Sequence, residues 1–261
     1  MKLDWRPAKK DDGRLPDSIL FIEAFGSITS EGVIDTAEQD LYSVARSRAE
    51  LMGWFLDNDR PSLWNQHEAE LLNGSSRLGF VQVGVEQPGL PIPRVLPAAL
   101  QCVGDSIGRF GGTVTGFQVT ADDLVNLSDR DCSWYLHGGL TWFDLKVQER
   151  IEAVVHLDQS LLGEYDVSTL IACIKQTDLG KFEMSLLDEV PESAKIRLDS
   201  AISHHSRLQS TIPHPKQGIL VTMPEWSASI AGWVLARVID GAHKLGSKPP
   251  NYIARISRTP T

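Results

Sequence analysis

The clearest pattern of hydrophobic and polar positions occurs twice along the chain, at an offset of 135 residues. Apolar residues recur at three- and four-residue steps over residues 95–110 and again over residues 230–245, as expected for an amphipathic helix. Each segment is followed by a glycine, the residue that best adopts the left-handed conformation after a helix. The segments align without gaps, and the matched pairs are Leu100 with Leu235, Val103 with Val238, Asp105 with Asp240, Phe110 with Leu245, and Gly111 with Gly246.

Strand-like segments flank both predicted helices. Runs rich in β-branched and aromatic residues precede and follow each helix, and such residues favour strands. Both halves of the chain are therefore predicted to end in the same strand–helix–strand unit. The four strand segments are residues 79–85, 113–120, 218–223 and 251–256, and Phe117 and Tyr252 keep the 135-residue offset.

The second half is predicted to contain every helix and strand of a known plan, which is named below. A strand at residues 152–157 leads to a helix at residues 167–176, with Asp166 as its N-cap, and then to a strand at residues 181–187. A further helical segment, residues 192–208, precedes the final strand–helix–strand unit. This order resembles the split β-α-β, ferredoxin-like plan.

The first half follows the plan less closely. It opens with a strand at residues 18–25 and a helical stretch at residues 34–56, but residues 61–72 have a helical composition where the plan needs a second strand. The predicted fold class is α+β, with two similar halves that each end in a β-α-β unit, as in duplicated ferredoxin-like lobes. The alternative is that two unrelated β-α-β units resemble each other by chance.

Between the halves, two aromatic-rich runs flank Gly138 and Gly139 within residues 132–143, a pattern typical of a two-residue β-hairpin. The predicted organisation is a flexible N-terminal segment at residues 1–14, a first lobe at residues 15–130, and a second lobe at residues 131–261. The second lobe opens with the hairpin.

Composition and charge exclude several classes of protein. The 261 residues are 42% apolar and 23% charged, which is ordinary for a soluble globular protein and unlike a collagen-like or disordered chain. The net charge is −9, and residues 1–130 hold 12 basic and 19 acidic side chains. Because nucleic-acid binding needs clustered basic residues, no nucleic-acid partner is expected unless folding gathers scattered arginines such as Arg207, Arg237 and Arg255.

The N-terminal residues and the cysteines favour a cytoplasmic protein. No secretory signal and no apolar run of membrane-spanning length occurs, so no membrane partner is expected. Cys102, Cys132 and Cys173 are odd in number and form no paired motif, which argues against disulfides. No dinucleotide or phosphate-loop glycine pattern occurs, so no cofactor is predicted.

Two loops carry candidate binding residues. His137 lies before the hairpin glycines, where it can serve as a general base or ligand contact, or simply flank a turn. Glu225 and Trp226 lie between a strand and a helix, where a charged and a stacking group can meet a ligand. The alternative for this second loop is a plain helix entry, with Ser227 as the N-cap and Trp226 as a hydrophobic staple.

The remaining histidines do not indicate a metal site. His204, His205 and His214 lack the spacing of ligand pairs, and His156 fits a strand residue with satisfied hydrogen bonds. No metal is therefore predicted.

Two functional hypotheses remain. The first is a non-catalytic soluble protein that binds a partner protein or a small molecule, with a homodimer left open as its oligomeric state. The second is a small cytoplasmic enzyme with a pocket between its lobes, in which His137 or Glu225 acts as an acid–base group.

Overall fold

The computed structural model describes ten segments of the chain, and every structural statement below concerns these residues. They are residues 18–28, 40–52, 64–72, 76–85, 92–123, 150–177, 182–197, 215–247, 249 and 251–260.

The described residues form eight strands, five helices and one 3₁₀ turn. The strands are β1 (Ser18–Ile28), β2 (Trp64–Leu71), β3 (Arg77–Val85), β4 (Gly112–Asp123), β5 (Ile151–Leu157), β6 (Glu183–Leu187), β7 (Gly218–Met223) and β8 (Asn251–Arg258). The helices are α1 (Leu41–Leu51), α2 (Ile92–Arg109), α3 (Gln159–Leu162), α4 (Val167–Thr177) and α5 (Ala228–Lys244), and the 3₁₀ turn is Glu192–Ala194. The chain is thus a mixed α+β protein, as predicted.

All eight strands form one antiparallel sheet in the order β2-β3-β1-β4-β8-β5-β7-β6. The first four strands form one lateral half of the sheet and the last four form the other. The two halves of the sheet meet where β4 pairs with β8. Outward from the β4–β8 pair, the strand order is β4, β1, β3, β2 in the first half and β8, β5, β7, β6 in the second. In both halves this is the fourth, first, third and second strand in chain order. Both predicted strand–helix–strand units therefore occupy equivalent places in their halves.

The strand registers follow the sequence offset. At the junction Val119 pairs with Ala254, which lies 135 positions later. Within the first half Leu20 pairs with Ala121, and the positions 135 residues later, Val155 and Ile256, also pair with each other. The 135-residue correspondence therefore extends to β1 and β5, beyond the helices in which it was found.

The four longer helices cover one face of the sheet. Helix α1 packs against α2, α2 against α5, and α5 against α4, so they form a single layer. Alternate strand residues such as Ile22, Val119 and Ala254 point into the core beneath this layer, because successive side chains of a strand face opposite sides. The glycines that follow α2 and α5 have positive φ, 74° at Gly111 and 96° at Gly246, as predicted for helix ends.

The opposite face of the sheet carries two smaller apolar clusters and a polar centre. Phe21 stacks on Phe80 with ring centroids 4.9 Å apart, and Val154 packs with Val190 and Ala194. Between them lie buried polar side chains, which form the candidate site below.

The prediction of a helix at residues 61–72 is wrong, because residues 64–71 form strand β2. The composition of this segment favours a helix, but pairing with β3 adds it to the sheet as an edge strand. The register shifts between Gln66 and Glu68, and this irregularity interrupts the alternation by which a strand is recognised.

Two predicted helices overlap the described residues only in part. Of residues 34–56, the described part forms α1, with Asp40 as its N-cap accepting a hydrogen bond from the Ser43 amide. Of residues 192–208, the described part holds only the 3₁₀ turn, and residues 195–197 run on without helical structure.

The N-terminal segment, residues 1–14, the hairpin at residues 132–143 and the lobe boundary near residue 130 lie outside the described residues. Within the described residues, no helix is long and apolar enough to cross a membrane.

Candidate binding site

Polar residues line up at the centre of the sheet, on the face opposite the helix layer. Glu23 on β1 pairs in register with Gln118 on β4, and Gln118 pairs with Arg255 on β8. All three side chains are buried, with 1–2% exposure. Burying a charged side chain costs free energy unless partners compensate it. The contacts of these three side chains therefore need to be described.

Three guanidinium groups surround the ring of Phe25 on β1. The Cζ atom of Arg255 lies 3.9 Å from the ring centroid, that of Arg197 lies 5.5 Å away, and that of Arg77 lies 5.8 Å away. Each distance is within the range of a cation–π contact. We call these four residues the arginine cluster.

Glu23 is a buried carboxylate beside the cluster. Glu23 forms an ion pair of 3.0 Å with Arg77 and accepts a hydrogen bond of 2.9 Å from the Gln118 amide. The three guanidinium groups thus lie around one ring in a protein whose net charge is −9.

Residues 190–197, which we call the strap, cross the face of the sheet opposite the helix layer and hold Arg197 in the cluster. The Gln118 side chain donates to the carbonyl of Arg197 at 2.9 Å and accepts from its amide at 2.8 Å. The Arg197 guanidinium donates to the Ser76 hydroxyl at 2.6 Å, and Arg255 donates to the Ser193 carbonyl at 3.1 Å. The strap is therefore anchored to the sheet by polar contacts.

His156 anchors the strap from β5. Its Nδ1 accepts a hydrogen bond of 2.9 Å from the Ile196 amide, and its Nε2 lies 2.9 Å from the carbonyl of Pro215. Because a backbone amide can only donate and a carbonyl can only accept, these contacts assign the proton of a neutral ring to Nε2. The prediction that His156 is a satisfied strand residue is confirmed.

A cavity of about 320 Å³ opens beside the arginine cluster. Its walls come from the ends of β1, β4 and β8, from the strap, and from the residues after β8. They present guanidinium groups, hydroxyl groups and one aromatic ring. The lining residues are Phe25, Thr115, Gly116, Ser193, Arg255, Ser257, Arg258, Thr259 and Pro260. We call this cavity the arginine pocket.

A larger groove of about 1010 Å³ lies between α1 and α2. Arg48 and Asp105 pair with each other across it, with hydrogen bonds of 2.5 and 2.8 Å to one carboxylate oxygen. Its central charges thus pair with each other.

The structure places the predicted loop of Glu225 and Trp226 apart from the arginine pocket, whose lining does not include them. Ser227 caps α5 by accepting from the Ile230 amide, and the half-buried Trp226 donates its indole N–H to the Val114 carbonyl at 2.8 Å. These contacts directly support the interpretation of this loop as a helix entry. Glu225 is exposed, and its role as a ligand contact stays a prediction.

The other predicted site residues lie outside the described chain or away from the pocket. His137, His204, His205 and His214 lie outside the described residues. In the part of the chain that the structure describes, no group of histidine, cysteine and acidic side chains is arranged to hold a metal.

Sequence reasoning missed most of the arginine cluster. Arg255 was among the scattered arginines noted above, whereas Arg77 and Arg197 carried no signal. Arg237 instead is buried in α5. The one available clue was a charged residue in the middle of the apolar β8 segment.

Comparison of the chain with family models, with curated proteins and with solved structures gave no match. The functional argument therefore rests on the geometry above.

Proposed function

We propose that the chain is a non-catalytic binding protein that takes a small anionic molecule in the arginine pocket. The observation that carries this proposal is the arrangement of Arg77, Arg197 and Arg255 around Phe25, beside the pocket that Arg255 and Phe25 help to line. Guanidinium groups recognise anions through directed, charge-assisted hydrogen bonds.

The pocket has the form of a small-molecule site. Its volume of about 320 Å³ is at the lower end of the range for ligand pockets, and its lining includes one aromatic ring. Its described lining offers hydroxyl and guanidinium groups, a set suited to holding oxygen atoms of a ligand. This set supports binding as the function of the pocket.

We further infer that the two halves are duplicated ferredoxin-like lobes. The equal strand orders and the pairing of Val119 with Ala254 support this inference. Under this correspondence Arg255 stands where the first half has Thr120, and Arg258 stands where it has Asp123. Both basic residues of the pocket lining therefore lie on β8, and the equivalent positions of β4 are not basic. This difference is expected if a single site arose after duplication.

The proposal is tested by calorimetric titration of the full chain at low ionic strength, where electrostatic binding is strongest. The probes are acetate, methyl sulfate and methyl phosphate, with tetramethylammonium as the cationic control. We expect the anions as a class to bind and the cation not to bind.

A matched pair of variants locates the binding. Arg258→Gln removes a charge from the pocket wall and should weaken anion binding, whereas Arg46→Gln removes an exposed charge on α1 and should leave it unchanged. Absence of binding by every anion, or equal loss in both variants, would refute the proposed function.

A further inference from the structure

We propose that the contact between His156 and the Ile196 amide, which we call the latch, makes the strap sensitive to pH. Proton uptake by His156 releases the strap from the sheet, and the arginine pocket then binds its ligand more weakly. The effect on the ligand rests on the proposed anion-binding function, whereas the release of the strap does not depend on it.

A proton and the docked strap compete for one lone pair of His156. Nδ1 accepts a hydrogen bond of 2.9 Å from the Ile196 amide, while Nε2 donates to the Pro215 carbonyl. The neutral ring can take up a proton only at Nδ1, and the new N–H would face the N–H of Ile196. Because both groups would then be donors, this hydrogen bond is lost whatever else the ring contacts. The bond to Pro215 can persist.

The other anchors of the strap named above keep their charge near neutral pH. The Gln118 amide holds the backbone of Arg197, and the Arg197 guanidinium donates to the Ser76 hydroxyl. Amide, hydroxyl and guanidinium groups do not titrate between about pH 5 and 8, whereas an imidazole does. Acid therefore weakens the strap at Ile196 and leaves its contacts at Arg197.

The strap connects the latch to the arginine pocket. Ser193, three positions before Ile196, lines the pocket, and its carbonyl accepts a hydrogen bond of 3.1 Å from Arg255. Arg255 lines the same pocket and pairs with His156 in the register of β8 with β5. Undocking of the strap therefore withdraws one wall of the pocket and removes a contact that positions Arg255.

Charged groups of the sheet act on His156 in opposite directions. Arg255 disfavours a second positive charge beside it, whereas ionised Asp158, two positions along the chain, favours one. Glu152 on β5 is exposed, and β7 carries no titratable side chain. Burial raises the pKa of Asp158 to about 6, so this carboxyl titrates in the same range and needs a variant of its own.

The charges on and beside the strap stay constant in this range. Glu192 pairs with Lys195 at 2.8 Å, and this hydrogen bond lowers the pKa of Glu192, which therefore stays ionised. Arg197 and Lys216, the residue after Pro215, stay positive. Among the described groups near the latch, a change between about pH 5.5 and 7.5 therefore comes from His156 or Asp158.

The competition sets the direction and the size of the effect. An imidazole in contact with water has a pKa of about 6.5. Since the undocked state binds more protons, docking of the strap is strongest above about pH 6.5 and weakens by up to roughly tenfold per pH unit below it. Between about pH 7.5 and 5.5 the loss is therefore roughly tenfold.

Nuclear magnetic resonance on the full chain measures the latch without a ligand. Ring ¹⁵N shifts show which nitrogen of His156 carries the proton, and hydrogen exchange gives the protection factor of the Ile196 amide. At about pH 7.5 we expect a neutral ring protonated at Nε2. At about pH 5.5 the protection factor of Ile196 should be roughly tenfold lower, while that of Val119 at the centre of the sheet stays high.

Three variants identify the group that titrates. His156→Asn keeps an acceptor near the position of Nδ1 and removes the titration, so the protection factor of Ile196 should no longer depend on pH. His243→Gln, at a histidine of α5 in the helix layer, should keep the roughly tenfold fall, and so should Asp158→Asn. A fall that persists in His156→Asn, or that is absent from the natural chain, would overturn the latch.

Methyl sulfate tests the effect on the pocket, because it stays a monoanion over this range. Calorimetry should give an affinity roughly three- to tenfold lower at about pH 5.5 than at about pH 7.5 in the natural chain, and equal affinities at both pH values in His156→Asn. If the natural chain binds methyl sulfate equally well at both, the control of the pocket by the strap is refuted. If no anion binds at either pH while the Ile196 amide responds as expected, the proposed function fails and the latch stands.

Discussion

Gly232 in α5 lies directly against Pro97 in α2, and the two residues are 135 positions apart in the chain. A Cβ atom on Gly232 would lie 2.6 Å from the Cα of Pro97 and 2.9 Å from the carbonyl oxygen of Leu96. The central helices of the two halves therefore touch backbone to backbone at corresponding positions, just as Val119 and Ala254 do in the sheet below.

Replacing Gly232 by alanine should lower the free energy of unfolding by about 1–3 kcal/mol, because the methyl group forces the two helices apart. Urea denaturation measures the change. Gly108→Ala is the matched control in α2, since a Cβ there meets nothing within 4 Å and alanine favours a helix by up to ~1 kcal/mol. Equal effects of the two substitutions would show that the close approach of the helices is not present in solution.

Leu235 tests the packing of the helix layer on the sheet. This residue, predicted from its spacing to face the core, is fully buried in α5. Leu235→Ala should cost roughly 2–5 kcal/mol of stability, because it removes buried methyl groups and leaves a cavity. Leu51→Ala, at a side chain with 83% exposure, should change stability by less than about 0.5 kcal/mol. An unchanged denaturation midpoint in Leu235→Ala would mean that α5 presents a different face to the core.

Asp158 should make stability depend on pH. Burial raises the pKa of this carboxyl from 3.8 to about 6, although hydrogen bonds from Ser160 and Leu161 oppose the rise. Since the folded state binds the proton more tightly, the stabilising contribution is complete below pH 3.8 and is lost as the pH rises through 6. The loss amounts to about 3 kcal/mol, at 1.36 kcal/mol per pKa unit.

Asp158→Asn removes this titration and keeps a good N-cap for α3. Relative to the variant, the natural chain should become progressively less stable between pH 4 and 7 in urea denaturation. A stability difference that stays constant over this range would contradict the burial of an ionisable group at this position.

Cys102 should be chemically inert in the folded protein. Burial raises the pKa of its thiol to about 12, and its sulfur lies 3.1 Å from the carbonyl oxygen of Ala45. Because the thiolate is the reactive form, iodoacetamide should not modify Cys102 in native buffer and should modify it in urea. Peptide mapping by mass spectrometry measures this, and equal modification in both conditions would place Cys102 outside the core.

The sequence predicted the parts of the fold that repeat locally. The strand–helix–strand units of both halves were found because helical spacing and terminal glycines are visible within a short window, as at Gly111 and Gly246. Strand β2 was missed because its irregularity between Gln66 and Glu68 breaks the alternation, and because only its pairing with β3 overrides a helical composition.

The arginine cluster could not be predicted in the same way. Phe25, Arg77, Arg197 and Arg255 come from β1, β3, the strap and β8, and no spacing rule connects residues so far apart. Only the order of strands in the sheet and the hydrogen bonds of Gln118 to the strap bring them together. The predicted candidates Glu225 and Trp226 belong to a local motif between a strand and a helix. In the structure, Trp226 donates its indole N–H to a carbonyl of β4.

Strand β8 is the last of the eight strands in chain order, yet it lies in the middle of the sheet between β4 and β5. During synthesis β4 is complete about 130 residues before β8, a delay on the order of ten seconds at ribosomal speed. Among the described strands, β8 is the partner of this edge of β4, so until β8 is made the edge can add a strand from another nascent chain. Expression of this protein should therefore depend on chaperones that shield the growing chain, and truncation before β8 should lead to aggregation.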